Sequence, residues 1–187
     1  MLKNALKHFM TITKHKILVF ILCCKAGQPW RGFMHDWSKY SWTEFWESAK
    51  YYQGNCSPII VCKRQNGYSN AWLHHKGRNK HHPEYWYDYA TPEKTIPMQY
   101  EYAVEMICDN LAAGKVYNGK QWNNRSQLEY WNRVGSKREQ MHEKTAAFAT
   151  IVYEQIAEEG IDKVINKNNL KKIYKECMNK SKIVTQL

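Results

Sequence analysis

"HDWSKYSWTEF", residues 35–45, is the stretch on which the architecture turns. Ser41 followed three residues later by Glu44 is a capping-box pattern, in which each side chain satisfies a free backbone N–H of the first helical turn. It predicts a helix that begins at Ser41 and ends near Gly54. A second short helical stretch, over about residues 31–39, carries the start of the quoted segment. His35 and Asp36 therefore sit just before a helix junction, side by side.

Working outward, Leu6, Phe9, Met10, Thr13, Ile17 and Phe20 recur with approximately the 3.6-residue period of a helix, and Gly27 followed by Pro29 supplies a stop. The first helix is expected over about residues 3–25. His15 precedes Leu18, Val19 and Leu22 by three, four and seven residues, so it looks inward. On the other side, residues 55–67, with Pro58 and Gly67, read as a loop, and Ser69 can cap a helix that carries Trp72 to His75 and stops at Gly77. Residues 78–97 are irregular, aromatic and broken by Pro83, Pro92 and Pro97. Long loops of this kind in a compact domain are often functional. Pro97 suits the first turn of a helix over about 98–117, with Ala103, Met106, Ile107 and Leu111 buried and Glu101, Glu105 and Asp109 aligned at i, i+4. Ser126 with Glu129 repeats the capping-box pattern. Residues 141–158 are periodic through Thr145, Phe148, Val152 and Ile156, and Leu170, Ile173, Tyr174, Cys177 and Met178 mark a last amphipathic helix. No alternating strand of convincing length occurs, so the class is all-α, one domain over residues 1–187 whose last few residues fray.

Twenty-eight basic against 17 acidic side chains leave a formal charge of +11, which directs the search for a partner toward anions. Part of the excess lies in the C-terminal lysines, including Lys171, Lys172, Lys180 and Lys182, read as a solvated helix face. Another part, Lys76, Arg78 and Lys80 among them, surrounds two pairs of histidines. Six cysteines form no CxxC or regular framework, and no secretory leader is evident, which points to reduced thiols in a cytoplasm. The most apolar run, residues 17–24, falls short of the roughly 20 residues a spanning helix needs, so no membrane partner is expected. No continuous basic stripe on a helix or known nucleic-acid module occurs, so duplex nucleic acid is not expected either.

"AWLHHKGRNKHHPEYW", residues 71–86, holds four of the eight histidines. With His35 and Asp36, the inward His15 and Asp109 they form a dispersed set of nitrogen and oxygen donors without thiolates. Imidazole plus carboxylate suits Mn, Fe, Co, Ni or Zn, in a catalytic rather than a structural site. Glu105 is the candidate that hydrogen-bonds a ligand histidine and sets its tautomer. Arg78 and Asn79 can grip a phosphate and a base or sugar, with Lys76 beside them. Trp72, Tyr85, Trp86, Tyr87 and Tyr89 can stack a nucleobase or line a core under the loop. His8 and His142 read as structural.

"HDWSK" at 35–39 resembles the His-Asp-x-x-Lys segment of HD-superfamily metal-dependent phosphohydrolases. "HDWSKYSWTEF", "GYSNAWLHHKGRNKHHPEYW" and "EMICDNLAAGKVYNG" are together similar to an uncharacterised family of small bacterial and phage proteins, over roughly residues 8–120. The HD resemblance implies an HD-like helical bundle with a long histidine- and aromatic-rich loop. It also implies metal ligands in the order His15, His35 with Asp36, and Asp109, and Lys39 as a phosphate contact. Members with two metals carry further histidines between the His-Asp pair and the last Asp. The resemblance thus implies one or two divalent transition-metal ions, with His75 and His82 as ligands and His74 and His81 as proton donors or phosphate contacts, the assignment within each pair remaining open.

The expected activity is metal-dependent hydrolysis of a phosphoester, a diester or monoester, in a nucleotide or similar small phosphorylated substrate. Lys39, His74 and His81 are the catalytic candidates. Two other readings stand beside it: a di-iron oxygenase on an HD-like fold, and a non-catalytic module that binds a nucleotide in signalling or anti-defence.

Overall fold

Gly27, at φ 76°, ends the N-terminal helix α1 (Leu2–Lys25), and Pro29 opens α2 (Pro29–Met34), where its missing N–H costs nothing. These elements belong to a computed structural model that describes residues 1–134 and 140–179; the expected fraying of the C-terminus, with Lys180 and Lys182, lies outside the described residues. His35 and Asp36 follow α2 and lead into a 3₁₀ turn (Trp37–Tyr40). Ser41 then caps α3 (Trp42–Lys50), its hydroxyl accepting the Glu44 N–H at 3.4 Å.

The expected loop at 55–67 is instead a helix, α4 (Pro58–Asn66). Its two breakers are its boundaries: Pro58 occupies the first turn and Gly67, at φ 81°, the left-handed position just past the end. Ser69 caps α5 (Asn70–Lys76), accepting the Trp72 N–H at 3.1 Å. The long loop follows, with one 3₁₀ turn (Pro83–Trp86) and a single antiparallel bridge between Tyr87 and Thr95.

The helix α6 (Tyr100–Asn118) begins three residues after Pro97, with Gln99 at its cap, so Pro97 lies before the helix rather than in its first turn. A short 3₁₀ turn leads to α7 (Ser126–Arg133). Here Ser126 is not the cap but the first helical residue; its hydroxyl accepts the Asn123 N–H and so tightens the preceding turn. His142 caps α8 (Glu143–Glu159) by accepting the Lys144 N–H at 3.1 Å, which gives it the structural role expected. The short α9 (Ile161–Val164) and the amphipathic α10 (Lys167–Asn179) close the described chain, which is all-α.

The core gathers Val19, Leu22 and Cys23 of α1, Ile107 and Leu111 of α6, and Phe148, Val152 and Ile156 of α8, all fully or nearly fully buried. Each such side chain contributes about 1.5–3 kcal/mol through its removal from water. The periodicity that identified α1 belongs to its outer face. Leu6, Met10 and Ile17 are 54–64% exposed, whereas Ala5, His8, Ile12, His15 and Val19 face inward. α1 is apolar on two sides, and α2, α3 and α6 cover one of them. α2 lies flush on that helix because Gly32 has no side chain. A Cβ there would stand 2.7 Å from Cys23 Cβ and 2.9 Å from Phe20 Cα. Among the described residues no helix is long and apolar enough to cross a membrane.

Candidate metal centre

The close seat of α2 brings the His-Asp turn beside His15. Lys16 of α1 holds the turn from below, its Nζ donating to the carbonyls of Phe33 at 2.7 Å and His35 at 2.5 Å. Asp36 takes a left-handed backbone (φ 52°), which Asp tolerates better than most residues and which costs on the order of 1 kcal/mol. That conformation turns both His35 and Asp36 into the interior, where they are 1% and 2% exposed.

Two sets of donor atoms meet at Asp36. One atom from each of His15, His35, Asp36 and Asp109 lies within 4.8 Å of the others, and so does one from each of Asp36, His75, His81 and His82. Nε2 of His15 is 2.9 Å from Asp109 Oδ1, and Nε2 of His75 and His81 are 3.4 and 3.5 Å from Asp36 Oδ1. Nε2 of His75 also lies 2.9 Å from Nε2 of His82. Yet Nε2 of His15, His35 and His81 and both oxygens of Asp36 are buried without an aligned hydrogen-bond partner. They meet one another and Lys39 only as ion pairs, with His35 Nε2 3.0 Å from Asp36 Oδ2, and so many buried donor atoms converging on one place fit a cation.

A second ring of carboxylates explains why the Nε2 atoms point inward. Glu105 Oε1 accepts from His35 Nδ1 at 2.9 Å and lies 3.2 Å from His81 Nδ1, while its Oε2 accepts from Arg31 Nη1 at 3.0 Å. Glu44 accepts from His75 Nδ1 at 2.8 Å and from His74 Nδ1 at 2.6 Å. Because a carboxylate only accepts, each bonded Nδ1 carries a proton and turns the Nε2 of His35 and His75 toward the centre. Glu105 takes the part expected of it. Glu44 was legible only as a capping acid; its carboxylate is 3% exposed and spent on two histidines rather than returned to Ser41. Glu47, on the same helix, accepts the Asn70 and Ala71 N–H groups and the Ser69 hydroxyl, which seats α5 and with it His74 and His75.

The electrostatics follow from this packing. Burial opposes ionisation of Asp36 and Asp109, but His35 and Lys39 beside the first, and His15 and His35 beside the second, hold both carboxyls well below their usual range. Burial also works against Glu105, and its bonds to His35 and His81 outweigh it, bringing the carboxyl to about 2. His35, despite burial, is raised well above the ordinary histidine value by Asp36, Asp109 and Glu105. His15 and His82 are lowered by burial.

The other expected site residues fall into three places. Lys39 Nζ lies 2.6 Å from Asp36 Oδ2, at the edge of the donor cluster. His81 is 1% exposed with its Nε2 inside the cluster, so it stands with the ligand-type atoms rather than outside them; His74 is the outer member of its pair, its side chain 23% exposed. Asn79 donates Nδ2 to Ser38 Oγ and the His75 carbonyl at 2.9 Å, and it stands beside Arg78 in the lining of a cavity. Arg78 is exposed, donates to the His74 carbonyl and, with Arg31, Lys80 and Tyr102, lines a cavity of about 230 Å³ behind Glu105 and His81. Lys76 sits half-buried at the end of α5, outside the donor cluster. A second cavity, about 180 Å³, reaches the cluster itself: Asp109, His81 and His82 form one wall and Gln127, Tyr130 and Trp131 another. Of the aromatic loop, Trp72 meets His82 edge to face at 5.0 Å, while Tyr89 projects to solvent. A larger cleft, about 510 Å³ and lined by Lys25, Lys115 and Asp162, lies elsewhere, and none of the clustered donors reaches it.

The model of a family described as "Family of unknown function (DUF5662)" matches residues 4–155, which include every member of the donor cluster. No curated protein and no solved structure matches.

Proposed function

Since the chain belongs to the DUF5662 family, whose description assigns no activity, we propose its function from the site alone: a metal-dependent phosphohydrolase of HD-like architecture that acts on a nucleotide or similar small phosphorylated substrate. The observation that carries the reading is the set of buried Nε2 and carboxylate atoms gathered around Asp36. Five histidines and two aspartates without a thiolate suit Mn, Fe, Co, Ni or Zn, and Asp36, common to both donor sets, would be shared between ions if two are bound. A divalent ion held by these residues would supply an acidified water and polarise a phosphoryl oxygen.

The chain's own residues provide the rest. Glu105 and Glu44 keep the imidazoles in one tautomer and orientation. Lys39, held against Asp36, offers an ammonium to a phosphoryl oxygen at the edge of the cluster. Arg78 and Lys80 line the neighbouring cavity, pair with no carboxylate among the described residues, and add to the positive field that draws a phosphate in. His74 is the proton donor of the pair, being bonded to Glu44 yet open to solvent; His81, inside the cluster, is read as a ligand. The second cavity, flanked by Trp131 and Tyr130, takes the uncharged part of the substrate.

The test is metal content of the chain purified without chelators, together with hydrolysis of p-nitrophenyl phosphate and bis(p-nitrophenyl) phosphate in added Mn²⁺. One or two ions per chain and turnover, both lost in Asp36→Ala, are expected. Retention of metal and turnover in both His35→Ala and Asp36→Ala refutes the mechanism. The shared Asp36 equally suits a di-iron centre, and iron content with oxygen consumption but no phosphoester turnover selects that reading.

A further inference from the structure

The outer face of α1 is an apolar surface that the described residues leave uncovered. Leu2, Leu6, Met10 and Ile17 are 54–81% exposed along it. It continues sideways into a chain of ring contacts, from Phe9 to Tyr40 to Trp37 to Phe33 to Trp30, with centroids 5.8–6.0 Å apart. Trp30, at the end of that chain, is 72% exposed. A contiguous exposed patch of this kind marks a contact site rather than ordinary surface.

Charge decides what covers it. No carboxylate occurs before Asp36, and Asp36 and Glu44 are both buried. At 3.6 residues per turn Lys3, Lys7 and Lys14 fall along one edge of the apolar stripe. A second copy docked on this face would bring like lysine edges together with no acid opposite. We propose that the α1 face lies on an anionic lipid surface, with the apolar stripe and the tryptophans sunk to the level of the headgroups and the lysine stems reaching up to the phosphates. Such binding needs no spanning segment, and it stands apart from the metal-centre reading.

Flotation of the full chain with phosphatidylcholine vesicles containing 30% phosphatidylserine, against pure phosphatidylcholine, tests the proposal. Binding to the anionic vesicles alone is expected. Each lysine near such a surface strengthens binding about fivefold, so Lys3→Gln, Lys7→Gln and Lys14→Gln combined should weaken it about a hundredfold. Met10→Gln with Ile17→Gln should weaken it at least tenfold, while metal content and melting temperature stay unchanged because both side chains are exposed. Equal binding to neutral vesicles, or none to either, overturns the proposal. So does a dimer in sedimentation equilibrium without lipid that Ile17→Gln dissociates, which would assign the face to a second copy.

Discussion

Glu105→Gln keeps the shape of the side chain that orients His35 and removes its charge. In the native site the carboxylate receives charge-assisted bonds from Arg31 and, through its other oxygen, the Nδ1–H of His35, at 3.0 and 2.9 Å. A hydrogen bond to an ionised partner is worth about 1.5–3 kcal/mol and a neutral one about 0.5–1.5, so the amide forfeits about 1–1.5 kcal/mol at His35. That amounts to about a tenfold loss of metal affinity, the lower end of the range for groups that orient ligand histidines. Arg31 can swing to water, its side chain being 32% exposed, and it keeps its stack on Tyr102 at 3.9 Å, so the fold should lose only about 1–3 kcal/mol. Calorimetric titration with Zn²⁺ or Mn²⁺ at pH 7.5, paired with thermal unfolding in EDTA, separates the two quantities. Glu101→Gln, one turn earlier on α6, should leave the Kd alone. A Kd for Glu105→Gln within twofold of the parent refutes the orienting role, whatever happens to the melting temperature.

Two further outcomes follow from the packing. Gly32→Val forces α2 off α1, since even a Cβ meets Cys23 and Phe20 below 3.0 Å; unfolding should come about 1–3 kcal/mol easier, and metal affinity should fall with it because the displaced strut carries His35 and Asp36. His8, packed against Phe45 and Tyr52, has its pKa lowered to about 4 by burial and by the charge of Lys39. Between pH 6.5 and 4 the unfolded chain therefore takes up a proton that the folded chain refuses, and stability falls as the pH falls. Over pH 7 to 5 this histidine alone should remove about 2 kcal/mol, or about 4–8 °C of melting temperature in EDTA, and His8→Phe should abolish that share.

Much of the scaffold can be read directly from residue order. Ser41 and Ser69 cap the helices they were expected to cap, His15 faces inward, and Glu105 sits behind a histidine of the cluster. The failures have physical causes. Periodicity locates α1 but cannot choose between its two apolar faces, a choice made by the neighbours that dock. Pro58 and Gly67 look like breakers in isolation, yet they are the start and stop of α4, because the same properties that disrupt a helix interior suit its ends. Adjacent residues usually diverge in direction, yet His81 and His82 both bring a ring nitrogen into the cluster, and only the loop's path settles that. Glu44 sits at a capping position on the sequence, and nothing local announces that its carboxylate reaches across to α5.

The acceptors Glu44 and Glu105 stand on α3 and α6, whereas the imidazoles they steer come from α5, the long loop and the turn after α2. No single helix or loop therefore owns a finished site, and a peptide spanning residues 71–86 would possess four imidazoles without the anions that aim them. Ion capture becomes a property of the assembled tertiary structure. At a free ion concentration a hundredfold above Kd it would return about 2.7 kcal/mol to the native state. Depletion of the ion would then be felt as a softening of the whole protein, well beyond the loss of one reaction.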